Sequence, residues 1–345
     1  MQMLTKTIRR AARPLAALLL LWTVAVPAQG ISAKCAIVTD GASGKVLFAQ
    51  NADEKSLIAS TTKIMTGYLV ARDCSLNETV AVSPDAVGVE GSSLYLRPNE
   101  ETTVGELLYG LLLHSGNDAA LALAIHHSGS EAAFVARMNE TAKQLGLANT
   151  HFVNPHGLDS KENYSTARDL AVLAARAMDD PVFRRVVSTK TIRFGDRSFC
   201  NHNKLLWRYP GAVGVKTGYT KAAGRILVSA AERDGRLLIA VTISDPNDWA
   251  DHAALLDRGF AAYTKTLLYP ADKTVGFVPV LADGSCARVS LREPLCVSLA
   301  PGETPTLQLQ CPKLLFSSPA PGASAGAVIV RLHGKALAEA ELVFQ

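Results

Sequence analysis

The chain contains no Cys-x-x-Cys pair, so zinc ribbons and thioredoxin-like redox centres have no support. It has little excess charge of either sign. A net charge of +4 with 19% charged residues excludes a protein whose affinity for nucleic acid comes from a basic surface. No His/Cys/Asp cluster in the sequence suggests a metal or an organic cofactor, and neither is expected. No apolar run reaches the roughly 18–20 residues of a membrane-spanning helix. The tryptophans Trp22, Trp207 and Trp249 carry no site signal.

The apolar run that is present, "PLAALLLLWTVAVPA" at residues 14–28, follows Lys6, Arg9, Arg10 and Arg13, and its length is that of a signal-peptide core. Residues 1–28 therefore read as an export signal. Val26 and Ala28 satisfy the small-residue rule for a cut after Ala28, and Ile31 with Ala33 offers an alternative after Ala33. Lys34 before Cys35 is wrong for a lipoprotein cleavage box. The expected location is outside the cytoplasmic membrane. In an exported chain the six cysteines permit disulfides. Cys286, Cys296 and Cys311 are close enough for one among them, with free thiols as the alternative.

A length of 345 residues suits one large domain and a smaller one. Residues 36–50 read as a hairpin around a Gly-bounded turn. From Ser60 to about Leu170 the periodicity is helical, with a capping box expected at Thr103 and Glu106 and a helix end at Gly146. Asp234-Gly235 marks a second hairpin. An antiparallel sheet with helices packed on it accounts for residues 34–265. Short alternating runs predict a small all-β domain over 272–345, with 317–327 as a loop. The end at "ELVFQ" alternates like a strand, so no amphipathic membrane-anchoring helix is expected there.

Three short motifs carry the chemistry. In "ASTTKIM", Ser60 and Lys63 lie three residues apart, on one helix face if the segment is helical. That tetrapeptide alone equally describes a serine cap followed by a solvated lysine. Ser115-Gly116-Asn117 falls in a tight connection between two helices, and Lys216-Thr217-Gly218 falls where glycines allow a substrate backbone to approach an edge strand. Taken in order, S-x-x-K, S-x-N and K-T-G form one signature.

On these motifs, and on "EGSSLYL", "NPHGLD", "YSTARDL" and "NHNKLL", the chain from about Ala33 onward resembles the low-molecular-mass penicillin-binding proteins, the exported serine D-alanyl-D-alanine carboxypeptidases. The resemblance implies an α/β fold of α+β type, like that of serine β-lactamases. It implies peptidoglycan stem peptides ending in D-Ala-D-Ala as substrate and β-lactams as covalent inhibitors. The chemistry itself needs a nucleophile, a base and oxyanion donors. Ser60 supplies the first. Lys63 serves as base only if neutral, which burial beside Lys216 would favour. Ser115 is expected to relay the proton, Asn117 to orient Lys63 and the substrate amide, and Lys216 with Thr217 to hold the terminal carboxylate. The backbone N–H groups of Ser60 and of Tyr219, just after Gly218, complete the expected oxyanion site. His156, Asp159 and Arg168 read as scaffolding.

Three rivals remain in view of the sequence. A class A β-lactamase needs a deacylating glutamate in an E-x-x-L-N pattern, which Glu131, Glu140 and Glu162 all fail. A peptidoglycan endopeptidase would carry the same motifs. For a non-catalytic penicillin sensor or wall-binding module, intact Ser60 and Lys63 argue against inactivity though not against sensing, and the spanning helices usual in such sensors are not seen after the signal.

Overall fold

The computed structural model describes residues 30–345, and the export segment read at 1–28 lies outside the described residues. A five-stranded antiparallel sheet has the order Val46–Gln50, Cys35–Asp40, Arg236–Ile243, Gly224–Arg233, Ala212–Thr220. Every residue of Cys35–Asp40 is buried, because helices cover both faces. Cys35 and Ile37 join the main helical core together with Ile239 and Val241, while the alternate residues Val38 and Leu238 face the helix Asp248–Phe260. Asp234 and Gly235 form the expected two-residue turn, both with positive φ, between the paired residues Arg233 and Arg236.

The helical middle supplies the other layer. The helix Lys63–Asp73 is buried along nearly its whole length, so a single apolar stripe gives way to all-round burial. Its first turn, Ala59–Thr62, is 3₁₀ rather than α. The helix Val104–Tyr109 starts with Thr103 Oγ1 accepting from Glu106 N at 3.1 Å, but only half of the expected capping box forms. The Glu106 carboxylate turns instead to Thr102 Oγ1 at 2.9 Å and to Arg197 at 3.0 Å, an ion pair no local pattern announces. After Tyr109 the helix widens into a π turn over Gly110–His114 and stops at Ser115, whose φ of 70° is left-handed. Gly146 has positive φ just past the helix Glu131–Gln144, as its spacing predicts.

The C-terminal strands form a second five-stranded sheet and a separate ladder, with their own buried cluster around Val289, Val330 and Leu342. Strand pairing there begins before residue 272, because Thr264–Tyr269 pairs with Leu295–Leu299. The loop expected over 317–327 is shorter, since the strand Ser324–Leu332 takes its last residues and pairs with Lys335–Phe344. All six cysteines are free, Cys35 buried and Cys200, Cys286 and Cys311 exposed, so the disulfide considered for the C-terminal region does not form. Arg236 joins the first sheet to the C-terminal ladder and the turn that follows it. Its buried guanidinium meets Asp40 of the first sheet and Glu303 of the turn after Leu295–Leu299, and its Nε donates to Ser298 O of that strand at 2.8 Å.

Candidate active site

The 3₁₀ turn sets Ser60 at the start of the buried helix and lets Lys63 point back at it. Lys63 Nζ lies 3.1 Å from Ser60 Oγ, 2.6 Å from Asn117 Oδ1 and 2.5 Å from the carbonyl of His156. Lys63 is fully buried. Burial first, and the charge of Lys216 second, hold its ammonium well below the ordinary lysine range, while Asp118 opposes them. Three acceptors around one amine leave no ambiguity about where it points: one direction is the nucleophile, and the other two are anchors.

Those anchors come from distant segments. Asn117 opens the helix Asn117–Ser128, and its amide nitrogen is tied to Glu90 O at 2.5 Å, which fixes Oδ1 toward Lys63. The "NPHGLD" loop is held against the nucleophile turn by Thr66 Oγ1 donating to Pro155 O at 2.6 Å. Gly157 is required there. It has a φ of +89°, and a Cβ would fall 2.0 Å from the Ala59 carbonyl. The His156 ring accepts from Leu158 N at 3.2 Å, the turn-stabilising role expected, and burial lowers its pKa to about 4. Its backbone carbonyl on Lys63 was not legible in the sequence.

The K-T-G strand is the outer strand of the sheet and runs past the nucleophile turn. A Cβ at Gly218 would lie 3.3 Å from Ser60 N and 3.2 Å from Thr61 N, so glycine is what lets the strand come this close. Thr217, Gly218 and Tyr219 line a cleft of about 660 Å³ together with Ser60 and Ser115. Lys216 is buried, 1% exposed, with Nζ donating to Thr217 O at 2.9 Å, and burial pushes its pKa down to about 7. Thus all the residues proposed from the three motifs converge, with Ser60, Ser115, Thr217, Gly218 and Tyr219 at the cleft surface and Lys63, Asn117 and Lys216 buried. Asp159 and Arg168 brace loops as expected, through Thr220 Oγ1 at 2.9 Å and Asp53 at 2.6 Å.

Four further features were missed. Arg225, on the strand next to K-T-G and paired in register with Tyr219, lines the same cleft and makes a two-pronged ion pair with Asp248 at 2.8 and 3.1 Å. Asp248 is the one acidic residue lining the cleft, and it is committed to that arginine. His202, from "NHNKLL", lines the cleft, and burial with Lys216 and His114 nearby lowers its pKa to about 4, so it is neutral. Asp118, directly after the S-x-N motif, is buried and accepts from Leu94 N and Leu96 N at 2.9 and 3.2 Å, organising the "EGSSLYL" loop that brings Ser92 to the cleft. A buried acid three residues after Ser115 was the available signal.

The family model for D-alanyl-D-alanine carboxypeptidases matches residues 22–247. The D-alanyl-D-alanine carboxypeptidase DacF of Bacillus subtilis is 35% identical over 324 residues, 89% of this chain and 83% of that protein. DacC of Escherichia coli is 35% identical over 338 residues, 92% of this chain and 84% of that protein. Among solved structures, penicillin binding protein 5 of Haemophilus influenzae superposes with a TM-score of 0.66 at 31% identity, covering 92% of this chain and 97% of its own. The DD-transpeptidase of Streptomyces K15 gives 0.65 at 34% identity, covering 67% of this chain and 98% of its own.

Proposed function

Because the chain belongs to the D-alanyl-D-alanine carboxypeptidase family, and is a serine-type enzyme of that kind, we propose how its own residues carry the reaction. Ser60 Oγ attacks the penultimate carbonyl of a stem peptide ending in D-Ala-D-Ala, and neutral Lys63 takes its proton. The single observation that carries this reading is the 3.1 Å contact of Lys63 Nζ with Ser60 Oγ inside a fully buried pocket that disfavours the ammonium. The N–H groups of Ser60 and Tyr219 receive the oxyanion, and the close pass of Gly218 supports that pairing. Ser115 relays the proton to the leaving D-alanine. Water then hydrolyses the acyl-enzyme on Ser60 and returns the free serine.

The terminal carboxylate needs a standing positive charge. Lys216 is buried, and burial lowers its pKa to about 7, so it carries only part of a charge at neutral pH. Arg225 is always protonated and held in the cleft wall by Asp248. Thr217, Lys216 and Arg225 together read the free C-terminus, which selects a carboxypeptidase over an endopeptidase.

β-Lactams acylate the same Ser60. The acidic lining of the cleft is limited to Asp248, already paired, which favours slow release of the penicilloyl group over β-lactamase turnover. The enzyme works on the wall outside the cytoplasmic membrane, the export segment supporting this. No helix among the described residues is long and apolar enough to cross a membrane. We read the strands after residue 272 as an accessory β module. The test is release of D-alanine from a peptide ending in D-Ala-D-Ala, with Ser60→Ala alongside. Release by the wild type alone supports the assignment, and equal release by Ser60→Ala overturns it.

A further inference from the structure

At the end of the first buried helix, remote from the cleft, three side chains of metal-ligating type converge. Cys74 follows the last residue of Lys63–Asp73 and caps it through its N–H on Val70 O at 3.0 Å. The chain then turns, and Glu78 folds back so that its Oε1 accepts from Ser75 N at 2.5 Å. Its other oxygen, Oε2, lies 3.2 Å from Nε2 of His126, in the last turn of the helix Asn117–Ser128. Cys74 Sγ, a Glu78 oxygen and a His126 nitrogen all lie within 4.8 Å of one another. No local pattern announces this cluster, because His126 is 48 residues from Glu78.

We propose that Cys74, Glu78 and His126 form a binding site for a thiophilic divalent cation of the zinc class, with water as the fourth ligand. A tetrahedral ion with N and O ligands at about 2.0–2.2 Å requires those ligands to stand about 3.3–3.5 Å apart. The observed 3.2 Å between Glu78 and His126 is already close to that edge. Sulfur and imidazole together favour zinc or cobalt over magnesium or calcium, which prefer all-oxygen sites. The charge also fits, since a thiolate with a carboxylate neutralises a divalent ion. Asp73 itself is taken by Arg72 at 2.6 Å and His127 at 3.2 Å, so it flanks the site without ligating. The three ligands are half-buried or exposed, which leaves an entry path.

The placement gives the site a role. The two helices it joins carry Lys63 and Asn117 at their other ends, in hydrogen bond at 2.6 Å. From Lys63 to Cys74, and from Asn117 to His126, is about 14–17 Å along each helix axis. The ion therefore clamps the pair of helices that presents the catalytic lysine and its anchor, and takes no part in the chemistry.

The experiment is a cobalt titration of the chelator-stripped, fully reduced protein, followed by absorption, with zinc as competitor. One equivalent of cobalt should give a thiolate-to-cobalt charge-transfer band with tetrahedral visible bands, and zinc should abolish both. Cys74→Ser should lose the charge-transfer band. His126→Gln and Glu78→Gln should weaken cobalt binding about tenfold or more, since even outer-shell partners of a metal contribute that much. Cys200→Ser, at an exposed thiol elsewhere, should change nothing. Retained D-alanine release by the variants shows that they fold. Absence of the band in wild type, or its persistence in Cys74→Ser, overturns the proposal.

Discussion

Asn117 Oδ1 accepts from Lys63 Nζ at 2.6 Å, shorter than the 3.1 Å from that amine to Ser60. The lysine is thus aimed by an amide 54 residues away before it meets its nucleophile. Asn117→Ala should lower kcat for D-alanine release about 10²-fold, the cost typical of misplacing a reacting group by an ångström. Asn117→Asp should lower it too, because a carboxylate there would favour the charged lysine. Steady-state kinetics on a D-Ala-D-Ala peptide check both.

Lys63 acts as base only when neutral, and burial holds its pKa well below 10.5. The acylation rate should therefore rise with pH through that lowered value and level off above it. Lys63→Arg, which stays protonated, should lose about 10²–10⁴-fold across the whole range. Stopped-flow acylation with a chromogenic β-lactam reads both effects.

Arg225→Gln should raise KM for a peptide with a free C-terminus. A charged hydrogen bond is worth about 1.5–3 kcal/mol, or roughly 10–150-fold in kcat/KM. Against the C-terminally amidated peptide the same variant should differ little from wild type. Equal losses on both peptides would assign Arg225 to the architecture of the cleft instead.

How much of this was legible in the sequence divides by distance along the chain. Ser60 and Lys63, Ser115 and Asn117, and Lys216 to Tyr219 announced themselves because each motif is local and the three occur in order. Asp234-Gly235 likewise fixed its hairpin through turn chemistry alone. What stayed hidden depends on long-range packing: the His156 carbonyl on Lys63, Arg225 braced by Asp248, and Glu106 drawn from its capping box by Arg197. A backbone carbonyl has no residue type to recognise, and an arginine beside a K-T-G strand looks like any strand-end charge until the register places it.

Arg236 is 2% exposed between Asp40 and Glu303. Arg236→Ala would strand two carboxylates in the interior and should cost about 3–5 kcal/mol, with penicillin labelling of the folded fraction unchanged. Urea unfolding measures the loss.

His252 is fully buried between Ser229 Oγ at 2.6 Å and Thr242 Oγ1 at 2.9 Å, and burial lowers its pKa from 6.5 to about 3. Between those values the unfolded chain binds a proton that the folded one refuses. This group therefore makes stability fall as pH drops below 6.5, by up to about 1.4 kcal/mol per pH unit. His252→Gln should flatten that part of the curve, as unfolding midpoints between pH 7 and pH 4 would reveal.

The most direct test of the central claim is intact-protein and peptide mass analysis after brief exposure to benzylpenicillin, with wild type, Ser60→Ala and Lys63→Arg in parallel. One penicilloyl group is expected, on the peptide containing Ser60, and it is lost slowly from the wild type. Ser60→Ala should carry no adduct, and Lys63→Arg should be labelled far more slowly. An adduct on any other residue, or full-rate labelling of Lys63→Arg, would contradict the pairing of Ser60 with Lys63.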